Sequence, residues 1–169
     1  KGVIPTSENF TTDDNVVFQS RLDGTNIAGN IFVPTNVSGP RPAIIFVSSW
    51  GINEYEYLDQ AQNLAEQGYV VLSYTARGFW SSPGLINTAG EADVNDCRSA
   101  IDYLTSPDNH LPVDPDRIGM GGISYGAGIT LLTGMVDDRV KAVVAMSGCG
   151  DLVESLWAGN TPNYTWLEI

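Results

Sequence analysis

The chain has 169 residues, 43% of them apolar, with 18 glycines and 9 prolines spread along its length; this excludes disordered, collagen-like and repeat architectures and leaves a globular fold with one core. Eight basic residues against twenty acidic ones give a net charge of −12, the wrong sign for a nucleic-acid backbone or an anionic membrane surface as partner.

Residues 1–14 read as a polar lead-in. Residues 16–18 and 27–33 follow as two strands joined by the turn residues Asp23 and Gly24, a hairpin. Past the breaker Ser38-Gly39-Pro40-Arg41-Pro42, residues 43–47 are a continuous apolar run, the pattern of a strand buried on both faces. Tyr57, Ala61, Leu64 and Ala65 recur at helical spacing and stop at Gly68; residues 69–73 are a second buried strand. Val94, Cys97, Ile101 and Leu104 mark another helix that ends before Pro107. Asp114-Pro115-Asp116 is a turn signal, residues 117–121 a short strand, 127–135 a helix rich in small residues, and 140–146 a last strand. A hairpin followed by alternating strands and helices predicts the α/β class, with a mostly parallel sheet, right-handed crossovers and helices on both faces.

The chemistry centres on Gly122-Ile123-Ser124-Tyr125-Gly126, which falls between a predicted strand and a predicted helix. A sharp strand-to-helix turn brings neighbouring backbone too close for a Cβ, which calls for the flanking glycines, and holds the serine in a strained conformation that presents its hydroxyl. The N-terminus of the following helix favours negative charge, so the Tyr125 N–H is one expected oxyanion donor. The bland alternative is a glycine-rich turn with an incidental serine. A serine also needs a base. The one histidine, His110, precedes the elbow strand and belongs at its far end, roughly 16 Å away for five residues at about 3.3 Å each; it reads as a surface-loop residue.

One histidine also excludes a His-rich metal site. Cys97 and Cys149 lack CxxC spacing and are too few for a disulfide framework, leaving one bridge or two free thiols open. No apolar run reaches the ~18 residues of a membrane helix. The start at Lys1 has no charged segment leading into an apolar one, so any signal peptide is expected to be gone already.

Over residues 15–150 the chain resembles the serine hydrolases of the α/β-hydrolase superfamily, in particular the Xaa-Pro dipeptidyl-peptidase and cocaine-esterase-like group. The likeness rests on the elbow, on Tyr74-Thr75-Ala76-Arg77-Gly78-Phe79-Trp80-Ser81, similar to that group's Arg-Gly-x-Gly-x-Ser loop, on Asp114-Pro115-Asp116-Arg117-Ile118, and on Ser48-Ser49-Trp50-Gly51, which falls where many members have His-Gly-aromatic-Gly. The resemblance implies a three-layer sandwich, a second oxyanion donor in the Trp50 N–H (some members use a Tyr hydroxyl instead), and no cofactor. Trp80 replaces a glycine, Thr75 stands where Asp is common, and Ser48-Ser49 replaces His-Gly, so the rim of the site is expected to be remodelled. Arg77 either orients substrate or holds loop carbonyls from a buried position. Trp50, Phe79, Trp80, Trp157 and Trp166 either wall a pocket or pack the core. Asp151 is either the triad acid, as in a minority of the superfamily, or the N-cap of a helix starting at Leu152; Asp137 and Asp138 read as turn residues.

The pattern changes near residue 150, so residues 1–150 are expected to be the N-terminal part of the catalytic domain and 151–169 the start of a cap or insertion. Residues 143–146 read as a strand covered on both faces, yet as the last strand they would form an exposed apolar edge. The expectation is that the C-terminal strands, with the catalytic acid and histidine, are missing from this chain and come from a companion polypeptide. The reading is then a serine hydrolase of a small-molecule ester or peptide, acting through an acyl-enzyme on Ser124. A dipeptidyl-peptidase-like exopeptidase, in which Glu54 or Glu56 could grip a substrate amine, and a catalytically silent binding module are the alternatives.

Overall fold

Alternation of apolar and polar residues sets the first two strands, β1 (Phe10–Gln19) and β2 (Asn26–Pro34). They pair antiparallel from Phe10↔Pro34 to Gln19↔Asn26, with one extra residue on β1 between Asp13 and Val16. In the computed structural model, which describes residues 4, 6–157, 159 and 161, the polar lead-in therefore ends earlier than its composition suggests. Thr11, Thr12 and Asp13 are strand residues because β1 is an edge whose outer face meets water.

The apolar runs become β3 (Arg41–Val47) and β4 (Val70–Tyr74), paired in parallel, with β4 buried throughout. The sheet continues through β5 (Val113–Ile123) to β6 (Val140–Met146) in the order β1-β2-β4-β3-β5-β6, parallel from β4 onward. The expected turn at 114–116 lies inside the span of β5: pairing with β3 jumps from Arg41↔Val113 to Ala43↔Ile118. The residues between loop out, with the Asp116 N–H donating to Asp114 Oδ1 at 3.0 Å.

Period-two alternation divides the core between the sheet's faces. Phe32, Phe46 and Val71 pack with Ala61 and Ala65 of α1 (Leu58–Glu66). Ile45, Val47 and Leu72 point the other way, into a cluster with Cys97, Ile101 and Leu104 of α2 (Glu91–Thr105) and Ile129 of α3 (Tyr125–Val136). Helices on both faces make three layers. Cys97 is buried beside Met120, with Sγ 3.7 Å from its Sδ, while Cys149 is exposed, and both thiols are free.

At the far edge, β6 departs from the expected coverage. Val144 is 59% exposed and Met146 43%, because among the described residues β5 is its only strand partner and only α3 packs on it. Leu132, Met135 and Val136 of α3 are exposed as well; α3 packs on the Val143 face of β6, so Val144 and Met146 open on the opposite face. A short helix, α4 (Leu152–Leu156), follows; Asp151 caps it, accepting the Glu154 N–H at 2.9 Å.

Candidate active site

The turn from β5 into α3 places Ser124 at φ 54°, ψ −113°, a conformation that strains any residue with a Cβ. Its two flanking glycines are sterically compelled. A Cβ on Gly122 would lie 2.4 Å from the carbonyl carbon of Gly126, and one on Gly126 would lie 2.1 Å from the Val47 carbonyl oxygen. The elbow is thereby packed onto the end of β3, while the Ser124 N–H donates to the Met146 carbonyl at 2.9 Å and anchors it to the end of β6. Ser124 is half-buried, at the carboxyl ends of three parallel strands.

Tyr125 is the first residue of α3, so its backbone N–H belongs to the turn that an α-helix leaves without an internal acceptor. Its side chain runs toward α2, where the hydroxyl donates to Asp93 Oδ2 at 2.8 Å and accepts from the Ala89 N–H at 3.2 Å. Burial raises the Asp93 carboxyl above the usual carboxylate range against the opposing pull of that hydrogen bond. Burial and the neighbouring Asp93 likewise raise the Tyr125 phenol. Trp50, on the loop after β3, meets the Tyr125 ring edge-on with centroids 5.1 Å apart and meets Phe79 at 5.1 Å. The elbow, the loop after β3 and the loop after β4 therefore converge, bringing Ser124, Tyr125 and Trp50 to one end of the sheet.

The other candidates separate by environment. Trp50 and Phe79 pack against the main core, whereas Trp80 is 73% exposed, with its indole N–H donating to the Gly51 carbonyl at 2.8 Å. Trp157 is exposed; Trp166 lies outside the described residues. Arg77 is buried as expected, but it holds carboxylates rather than loop carbonyls: it forms a fork with Asp96 at 2.6 Å on both oxygens and reaches Asp23 at 2.9 Å. That network ties the hairpin turn to α2. Asp151 is committed to its cap. His110 is exposed after a short 3-10 turn (Pro107–Asn109), at the opposite end of β5 from Ser124.

Four residues escaped the sequence reading or were placed too loosely. Asp93 carried no signal beyond a helix first turn, where an acidic residue is ordinary. Tyr57 registered only as part of a helical spacing, yet its hydroxyl accepts the Ile123 N–H at 2.9 Å. Both oxygens of Glu56 accept from Ser49, one from its N–H and one from its hydroxyl. Glu54 is buried, and its Oε2 accepts from the Thr75 hydroxyl.

A family model of the X-Pro dipeptidyl-peptidases (S15 family) matches residues 23–166. The uncharacterised protein PA2218 of Pseudomonas aeruginosa is 34% identical over 134 residues, 76% of this chain and 35% of that one. Its crystal structure superposes with a TM-score of 0.76 at 28% identity, covering 93% of this chain and 49% of the other. The polyketide transferase claH of Penicillium crustosum is 30% identical over 138 residues, 79% of this chain and 43% of that one. The α/β hydrolase GrgF from Penicillium sp. sh18 superposes with a TM-score of 0.71 at 26% identity, covering 85% of this chain and 47% of the other. The chain thus spans less than half the length of each of these relatives, and the fold it shares with them is that of the α/β hydrolases. By its sheet order, its strained elbow and the family model that covers most of its length, the chain belongs to the X-Pro dipeptidyl-peptidase family, S15.

Proposed function

We propose that this chain supplies the nucleophile and the oxyanion site of a serine hydrolase that cleaves a carboxylic ester or amide. The observation that carries the reading is Ser124 at φ 54° between two glycines whose Cβ atoms would collide with backbone: the backbone bears a strain of about 1–3 kcal/mol to hold one hydroxyl at the strand ends. Ser124 Oγ attacks the carbonyl carbon while a base takes its proton. The backbone N–H groups of Tyr125 and Trp50 receive the negative charge on the carbonyl oxygen, and the leaving group departs with the proton to give an acyl-enzyme that water hydrolyses.

The base is a histidine contributed from outside these residues, on a companion segment that pairs with β6. The apolar edge at Val144 and Met146 supports this placement, as does the distance of His110 from the elbow. Residues from Asp151 onward are read as the start of a cap. The names of the matching family and of claH refer to a peptidase and to a transferase; a serine that carries a group between two acceptors fits both.

The exopeptidase reading draws support from one feature. Asp14, Glu54, Tyr55 and Trp80 line an open cleft of about 410 Å³ that no basic residue lines, adjoining the loop that carries Trp50. A protonated amine suits such carboxylates and ring faces.

The test is a fluorophosphonate probe applied to the intact protein together with its histidine-bearing segment. Labelling at Ser124, abolished in Ser124→Ala along with at least ~10³-fold of kcat/KM, is the expected result. Absence of label in that preparation overturns the reading in favour of a silent module. Turnover of aryl esters against dipeptidyl anilides then separates esterase from exopeptidase.

A further inference from the structure

Two adjacent residues, Glu56 and Tyr57, hold both loops that frame the carbonyl site. Ser49 precedes Trp50 and brings a hydroxyl to a position that the resembled loop leaves to glycine. The Ser49 N–H donates to Glu56 Oε2 at 2.6 Å, and its hydroxyl donates to Glu56 Oε1 at 2.5 Å. The same Oγ lies 3.1 Å from the carbonyl oxygen of Ile123, the residue before Ser124. A hydroxyl has one proton, and the short charge-assisted bond to the carboxylate takes most of it.

Tyr57 secures the other side of Ile123. Its hydroxyl accepts the Ile123 N–H at 2.9 Å, and its ring is stacked on Phe46 of β3 with centroids 4.6 Å apart and planes 11° from parallel. Glu56 thus fixes the residue before Trp50, and Tyr57 the residue before Ser124. Glu56 forms no ion pair among the described residues. A half-buried carboxylate whose hydrogen bonds, among the described residues, all come from one serine is a poor device for stability alone.

We propose that Glu56, acting through Ser49, and Tyr57 are positioning residues that set the spacing between the Trp50 and Tyr125 N–H groups around the developing oxyanion. The proposal rests on Ser124 being the nucleophile. Oxyanion donors work by being held where the charge will appear, so loosening either loop costs rate while leaving the ground-state contacts of the substrate largely intact.

The test uses the intact protein with its companion segment. Ser49→Ala, Glu56→Gln and Tyr57→Phe are each expected to lower kcat by about 10- to 100-fold with KM changed less than about threefold. Ser49→Thr, which keeps the hydroxyl, is expected to recover most of the loss. Because Ser49 and Glu56 act as a unit, Ser49→Ala/Glu56→Gln should be no slower than the worse single variant. Wild-type kcat in Ser49→Ala, fully additive losses, or kcat losses that merely follow a fall in folded fraction would each overturn the proposal. Ser124→Ala runs in parallel: if it stays active the nucleophile assignment fails, whereas if it is inactive and Ser49→Ala is not impaired, only the clamp fails. Should Glu56→Gln not fold, Ser49→Ala and Ser49→Thr decide alone.

Discussion

The residue at which this molecule commits most is Gly126, whose missing Cβ lets α3 begin against the end of β3. An alanine there would place a carbon 2.1 Å from the Val47 carbonyl oxygen, backbone against backbone, with no side chain free to yield. Gly126→Ala is expected to destabilise the fold by at least ~2 kcal/mol. Gly150→Ala meets nothing within 4 Å and serves as the neutral comparison. Ser124 sits at the same turn with the opposite sign: Ser124→Gly releases the strain of a positive φ and is expected to gain about 1 kcal/mol while losing the proposed nucleophile. Urea midpoints of the three variants check the set, and a Ser124→Gly variant less stable than the parent would contradict a strained elbow.

At the scale of elements, α2, α3 and β6 are joined by charge as well as by packing. Asp137 ends α3 and accepts from Arg139 at 2.7 Å and from Arg98 of α2 at 3.1 Å, and Arg139 also donates to Asp102 of α2 at 2.7 Å. The Arg139 hydrogen bonds, with Arg98 behind them, hold the Asp137 carboxyl well below its ordinary value of 3.8. Arg77 does the same for Asp23. A carboxyl depressed in the folded state binds fewer protons there than in the unfolded chain, so its contribution is complete above about pH 4 and is lost as pH falls toward its folded value. Asp93, raised by burial, has the opposite sign, but its effect lies above pH 4. Asp137→Asn is therefore expected to cost about 1–2 kcal/mol at pH 7, after allowance for the part-exposed Arg139, and to flatten the acid limb of the stability profile. Thermal melts between pH 2 and pH 7 measure both, and an unchanged acid limb would remove Asp137 from the account.

Viewed as a whole, the sheet is asymmetric. Its β1 edge is polar and bulged, a form that discourages pairing, whereas its β6 edge is apolar, with Val144 and Met146 exposed. Val144→Lys is expected to reduce self-association of this chain at high concentration and to weaken capture of the proposed histidine-bearing segment. Sedimentation velocity reads the first effect, and recovery of probe labelling on mixing reads the second. A variant that associates and reconstitutes like the parent would rule out this edge as the docking surface.

What could be read from residues alone follows from range. Buried strands, amphipathic helices and the glycine pair around Ser124 are set by neighbours within a few positions, where side-chain period and backbone sterics act directly, so the α/β class and the elbow were legible. The inclusion of residues 10–14 in β1 was not, because polar residues join a strand only when a partner such as β2 lies alongside. The carboxylate fork on Arg77 joins residues 19 and 54 positions apart, and the Ser49–Ile123 contact spans 74. Such pairings depend on which loops the sheet order brings to one end. Local sequence therefore determined the strained serine and the layers around it, and tertiary structure alone decided what surrounds that serine, because hydrogen bonds between distant loops exist only after the strands have been placed in order.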